Sequence, residues 1–171
     1  MFVDGYLFSL NLWYIKDKTP LSFEKYLLFS SCELELVIKK NCIMSKLIID
    51  VAKDKVFFMI INNDNIYSIT HENSKNNYEK LSMLLNDFLK TKNVTLSNIS
   101  KIYVNRGPGS FAGIRNALSV VKAIHLVNKI DYYCFSLRDF KGENGVKYEN
   151  IPNLCQKFKV KKNLINPIYL S

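Results

Sequence analysis

Asn105-Arg106-Gly107-Pro108-Gly109-Ser110-Phe111-Ala112-Gly113-Ile114-Arg115 joins two apolar segments of different period. The run before it, Ile102-Tyr103-Val104, reads as a buried strand. The segment after it, Phe111 to Val127, reads as a helix with Phe111, Ile114, Leu118, Val121 and Ile124 on one face. Gly107 and Gly109 permit backbone angles that a side chain forbids, and Pro108 fixes its own φ between them. Ser110 is placed to cap the helix, because its hydroxyl can accept from an orphan N–H one turn in. Strand, glycine turn and helix N-terminus together aim free N–H groups at one spot, which suits an anion or a closely approaching backbone. The plain alternative is a tight connector, but Gly113 and Arg115 argue against it. Glycine in a first helical turn costs roughly 1 kcal/mol against alanine, and a cation there opposes the helix dipole. The stretch has neither the Lys-Ser/Thr ending of a P-loop nor the spacing of a dinucleotide fingerprint.

Outward from this stretch the pattern stays legible. Leu47–Val51, Val56–Ile61 and Ile66–Ile69 are short apolar runs, the last two parted by the turn residues Asn62-Asn63-Asp64-Asn65. They predict an antiparallel meander. Tyr78 to Lys90 carries leucines and Phe88 at helical spacing, and Asp131 to Ser136 closes with a fifth strand. The order βββαβαβ predicts an α/β fold: a mixed five-stranded sheet with helices, its later strands parallel through right-handed crossovers. That is a single actin-like, ribonuclease-H-like domain.

Residues 1–43 show no clean period, and Met44-Ser-Lys-Leu-Ile-Ile-Asp looks like a natural start. We therefore read 1–43 as an N-terminal extension outside the fold, with Met44 as an alternative start, 44–140 as the domain, and 141–171 as a short basic remnant. The formal charge is +9; residues 1–43 hold five basic and five acidic residues, so the whole excess lies in 44–171. A basic body invites an anionic partner such as RNA, although a Lys-rich solvated surface explains the charge as well. Cys32, Cys42, Cys134 and Cys155 are scattered, form no Cys-x-x-Cys, and lie at no ligand spacing from His71 or His125. Reduced thiols in a cytoplasmic protein, without a metal, are the expectation. Asp50 ends a strand, where an acid is either a turn former or a ligand for metal or phosphate, and we read it as a turn former. No Ser–His–Asp set or carboxylate pair can be placed, so no catalytic residue is expected.

Gly-Pro-Gly-Ser-Phe-Ala-Gly-Ile-Arg, residues 107–115, closely resembles the signature Gly-Pro-Gly-Ser-Phe-Thr-Gly-Leu-Arg of the TsaB (YeaZ) family. The similarity extends over about 46–140 and includes Ser136-Leu137; Pro167-Ile168-Tyr169-Leu170 resembles the family's closing Pro-x-Tyr-Leu-Arg. Three departures stand out. Asp50 is followed by Val51-Ala52 instead of Thr-Ser, which makes it a degenerate phosphate turn. Ala112 replaces the signature threonine. After Phe140 too few residues remain for the family's second actin-like domain. The resemblance implies a non-catalytic subunit in the formation of threonylcarbamoyladenosine in tRNA. Its partners would be a TsaD-like catalytic subunit and a TsaE-like ATPase, with homodimerisation open and tRNA contacted indirectly. No cofactor is expected on this chain alone; ATP or ADP would sit at a joint interface. The partner- or anion-binding loop would comprise Arg106, Gly107, Pro108, Gly109, Ser110, Gly113 and Arg115. Leu85, Leu89, Val120, Ile124 and Val127 are the candidate outward residues of interface helices, the alternative being that they are all core. The rival readings are a nucleotide-binding hydrolase or peptidase of the same superfamily, and a basic RNA-binding module.

Overall fold

The computed structural model describes residues 44–169 apart from Asp54, Asp64, Asn73 and Asn144. The readings made for 1–43, and those for Cys32 and Cys42, lie outside the described residues. The strands are β1 (Ser45–Asp50), β2 (Lys55–Ile61), β3 (Ile66–Glu72), β4 (Ile99–Asn105) and β5 (Asp131–Phe135). They form one sheet in the order β3-β2-β1-β4-β5. β1 pairs antiparallel with β2 and parallel with β4; β3 is antiparallel to β2 and β5 parallel to β4. The α/β, mixed five-stranded sheet predicted from the element order is the one observed.

Strand alternation sorts the core into two layers. Leu47, Ile49, Val56, Phe58, Ile60, Ile102, Val104, Tyr132 and Cys134 face one side. Ile48, Met59, Tyr103 and Phe135 face the other. Side chains of period two buried on both faces leave near-continuous apolar runs, which is why these strands were readable. β3, at the sheet edge, alternates between exposed and half-buried positions and packs only Tyr67 and Ile69 onto the core.

Three helices cover the first face: α1 (Lys75–Glu79), α2 (Leu81–Thr91) and α3 (Phe111–Asn128). The single helix expected over Tyr78–Lys90 is broken at Lys80, whose ψ of 10° ends α1 and opens α2. Leu81, Leu85, Phe88 and Leu89 of α2 pack with Ile114, Ala117, Leu118 and Val121 of α3. Phe111, read on one face with Ile114, Leu118 and Val121, is exposed while those three are buried. It is the first helical residue, and the chain enters the helix there from the rim of the sheet.

The second face is covered by the segment after β5. Phe140 and the short helix α4 (Ile151–Lys157) supply Ile151, Leu154 and Cys155 to that layer. Pro152 stands in the first turn of α4, where a missing N–H costs nothing. Seven residues are too few to show a helical period, so α4 was not read from the sequence.

Burial pushes the thiols of Cys134 and Cys155 up to about 12 from 9.0. It also raises the Tyr103 phenol. These groups stay protonated in the folded state while their unfolded counterparts ionise, so the unfolded state binds fewer protons and stability falls with rising pH. The melting temperature is expected to drop progressively between pH 9 and 12. A flat profile across that window in circular-dichroism melts would contradict the burial of both thiols.

Candidate functional site

The glycine stretch is fastened on two sides. At the end of β4 the buried Asn105 accepts from the Gly107 N–H at 2.9 Å through Oδ1 and donates through Nδ2 to Asp50 Oδ2, also at 2.9 Å. Gly107 has φ of +107°, a conformation that demands glycine, and its peptide bond to Pro108 is cis. Gly109 serves a different purpose. The Ser110 N–H donates to Ala52 O at 2.9 Å, and a Cβ on Gly109 would lie 1.8 Å from that same oxygen. A Cβ on Gly113 would lie 2.3 Å from Val51 O. The two glycines let the start of α3 press against the turn that follows β1, which removes the argument that Gly113 needs an anion or a partner to explain it. Ser110 caps α3 as expected, accepting from the Gly113 N–H at 3.3 Å, and its hydroxyl also accepts from Tyr78 at 2.9 Å. The N–H groups of Gly107, Ser110 and Gly113 are therefore occupied within the protein; of the two occupants expected at this spot, an anion or a closely approaching backbone, Ser110 meets the second in the Ala52 carbonyl.

The other side of the loop holds the C-terminal segment. Arg106 O accepts from the Ile168 N–H at 2.8 Å, and the Arg106 N–H donates to Phe135 O at 2.8 Å. Gly109 bridges to Tyr169. The Arg106 guanidinium donates to Asp139 Oδ1 at 2.7 Å and to Asn166 O at 3.0 Å.

Asp50 is buried, with 1 % of its surface exposed. Its Oδ1 accepts from the Ala52 N–H at 3.0 Å, the turn-forming contact expected of it. Its Oδ2 accepts from Asn105 and from the Tyr148 hydroxyl, at 2.5 Å for the latter. Burial, then the charge of Asp50 and this hydrogen bond, raise the Tyr148 pKa above its ordinary value. Tyr148 went unremarked in the sequence because nothing local ties it to a strand 98 residues earlier.

The expected interface residues separate. Leu85 and Leu89 are 3 % and 5 % exposed in the core, so they are not outward residues: their stripe of α2 faces the sheet. Val120 and Ile124 are half-buried against that core, whereas Val127 is 79 % exposed. Arg115 is exposed, its guanidinium 6.0 Å from the Phe111 ring centre. With Leu126 and Tyr169 it lines a groove between α3 and the C-terminal segment. The Phe111 and Tyr169 rings meet at 4.7 Å between centres, tilted by 51° to one another. His125 contacts Ile130 O through Nδ1 at 2.8 Å and the edge of Tyr132, a packed histidine. His71 lies edge-on to Phe58. Among the described residues no three His, Cys, Asp or Glu side chains are grouped to hold a metal, and no helix is long and apolar enough to cross a membrane.

The sheet order, the helices on one face and the glycine loop between β4 and α3 define an actin-like, ribonuclease-H-like domain. Two solved structures share that fold at TM-score 0.51 and 22% identity: YeaZ from Pseudomonas aeruginosa, and an uncharacterized protein with similarity to peptidase YEAZ from the same organism. The overlap covers 54% of this chain in both cases, and 44% and 43% of theirs. Residues 67–137 match the family model for TsaD: tRNA N6-adenosine threonylcarbamoyltransferase. The tRNA threonylcarbamoyladenosine biosynthesis protein TsaB of Buchnera aphidicola subsp. Baizongia pistaciae (strain Bp) is 37% identical, over 34% of this chain and 31% of that protein. The stretch matched by the TsaD-type model contains the glycine loop. The chain spans less than half the length of each of these relatives.

Proposed function

We propose that this chain acts in the biosynthesis of threonylcarbamoyladenosine in tRNA as a non-catalytic subunit. It pairs with a TsaD-like catalytic subunit, and a TsaE-like ATPase completes the complex. The TsaB match supports the pathway. One observation carries the non-catalytic part: Asp50, the carboxylate best placed to serve a metal or a phosphate, has both oxygens engaged by Ala52, Asn105 and Tyr148. In this reading the chain works as a scaffold. The loop at 107–115 is braced from both sides, so α3 is presented rigidly, with Arg115, Phe111 and Leu126 on its open face. An arginine beside apolar and aromatic groups is a common composition for the centre of a protein interface. Any ATP or ADP would be held jointly with the partner.

Co-expression of the full chain with the TsaD-like protein of the same organism is expected to give a stable complex. tRNA modification with TsaE, threonylcarbamoyl-adenylate and tRNA should depend on that complex. A folded chain that neither binds TsaD nor supports modification would overturn the reading. Arg115→Ala should weaken pairing about tenfold or more while leaving the thermal melt of the isolated chain unchanged. Normal pairing by that variant would remove Arg115 from the interface.

A further inference from the structure

Near the edge of the sheet at β5, opposite in character to the apolar groove beside α3, lies a cavity of about 390 Å³. Arg106, Arg138, Lys141 and Lys161 line it, against a single carboxylate, Asp139. Asp139 is already paired with Arg106. The ion pairs among the described residues include none for Arg138, Lys141 or Lys161, all of which are exposed. Arg106 has a further unmet donor: its Nε is buried without a hydrogen-bond partner. Phe158, half-buried, supplies an aromatic wall.

We propose that this cavity is a binding site for a small phosphate-bearing ligand with a flat ring, of the nucleoside monophosphate class. Cations spread over a convex Lys-rich surface would merely be solvated. Here they line one concavity together, and a cleft lined by one sign of charge raises the local concentration of anions. Arginine forks match phosphate geometry, and lysine adds point charge. The cavity has room for more than a phosphate ion and contains an apolar wall beside the charges, the usual composition of a small-molecule site. The ligand lies between the turn after β5 and the segment that follows α4, so it would tie the two together. The site belongs to this chain alone and does not depend on pairing with a partner.

The test is calorimetric titration of the full chain with AMP, with inorganic phosphate and with a short oligouridylate. AMP is expected to bind saturably and more tightly than phosphate, and binding should weaken as salt rises. Arg138→Ala/Lys161→Ala should weaken it about tenfold or more, while Lys75→Ala/Lys90→Ala, on exposed positions of α1 and α2, should leave it unchanged. Absence of saturable AMP binding would overturn the proposal. Equal loss in both double variants would overturn it too, because the effect would then be diffuse charge. Tight binding of the oligonucleotide without AMP binding would replace a small-ligand site with an extended RNA surface.

Discussion

Gly109→Ala is expected to unfold much of the population at temperatures where the native protein is intact, with a loss of about 3 kcal/mol or more. The added methyl carbon would sit 1.8 Å from Ala52 O. That oxygen cannot retreat cheaply, because it accepts the Ser110 N–H at 2.9 Å and so ties α3 to the turn after β1. Relief of the clash breaks that bond and lifts the helix start from the sheet. For a body of this size, 3 kcal/mol corresponds to a melting shift of about 10 °C. Gly142→Ala provides the comparison. Its φ is +85° but nothing lies within 4 Å of the added carbon, so only the backbone penalty applies, about 1 kcal/mol. Differential scanning calorimetry of the two variants checks the ranking. Equal shifts would mean that Gly109 matters for conformational freedom and not for the contact with Ala52.

That contact marks the boundary of what could be read from the chain. The central strands were legible because both faces of the sheet are covered there, which turns them into near-continuous apolar runs; β3, alternating at the edge, was legible from Ile66 to Ile69 after the turn residues at 62–65. The loop was legible as unusual, since glycines at 107, 109 and 113 around a proline fit no ordinary connector. The reason for two of them was not legible. Ala52 O and Val51 O come to the loop through a parallel pairing of β1 with β4, and no local pattern announces that approach. Leucines 85 and 89 illustrate a different limit. Their helical spacing defines a stripe, but periodicity does not say whether a sheet or a partner lies opposite, and here the sheet does. The C-terminal segment was read as a basic remnant from its lysines. Its apolar residues Ile151, Leu154 and Cys155 are too few to form a pattern, yet they close the second layer of the core. The same segment delivers Tyr148 to Asp50 and Ile168 to Arg106.

Asp50→Ala is expected to be at least as damaging as Gly109→Ala. Removal of the carboxylate leaves the Ala52 N–H, the Asn105 amide and the Tyr148 hydroxyl without their acceptor inside the protein. At 1–3 kcal/mol for each buried donor left unmet, and some local relaxation, the loss should be roughly 3–5 kcal/mol. Tyr148→Phe removes one donor and leaves the carboxylate two others, so its cost should be about 1–2 kcal/mol. Urea unfolding of both variants gives the comparison. The outcome separates two views of this acid. A carboxylate kept for chemistry is held at some cost to the fold, and its removal tends to be neutral or stabilising. A carboxylate kept as a knot between β1, β4 and the C-terminal segment destabilises when cut. A stable Asp50→Ala variant would return Asp50 to the list of candidate ligands for metal or phosphate and weaken the non-catalytic reading. A large loss, with a smaller one for Tyr148→Phe, would fit a position where an acid of the actin-like fold has been retained as structure.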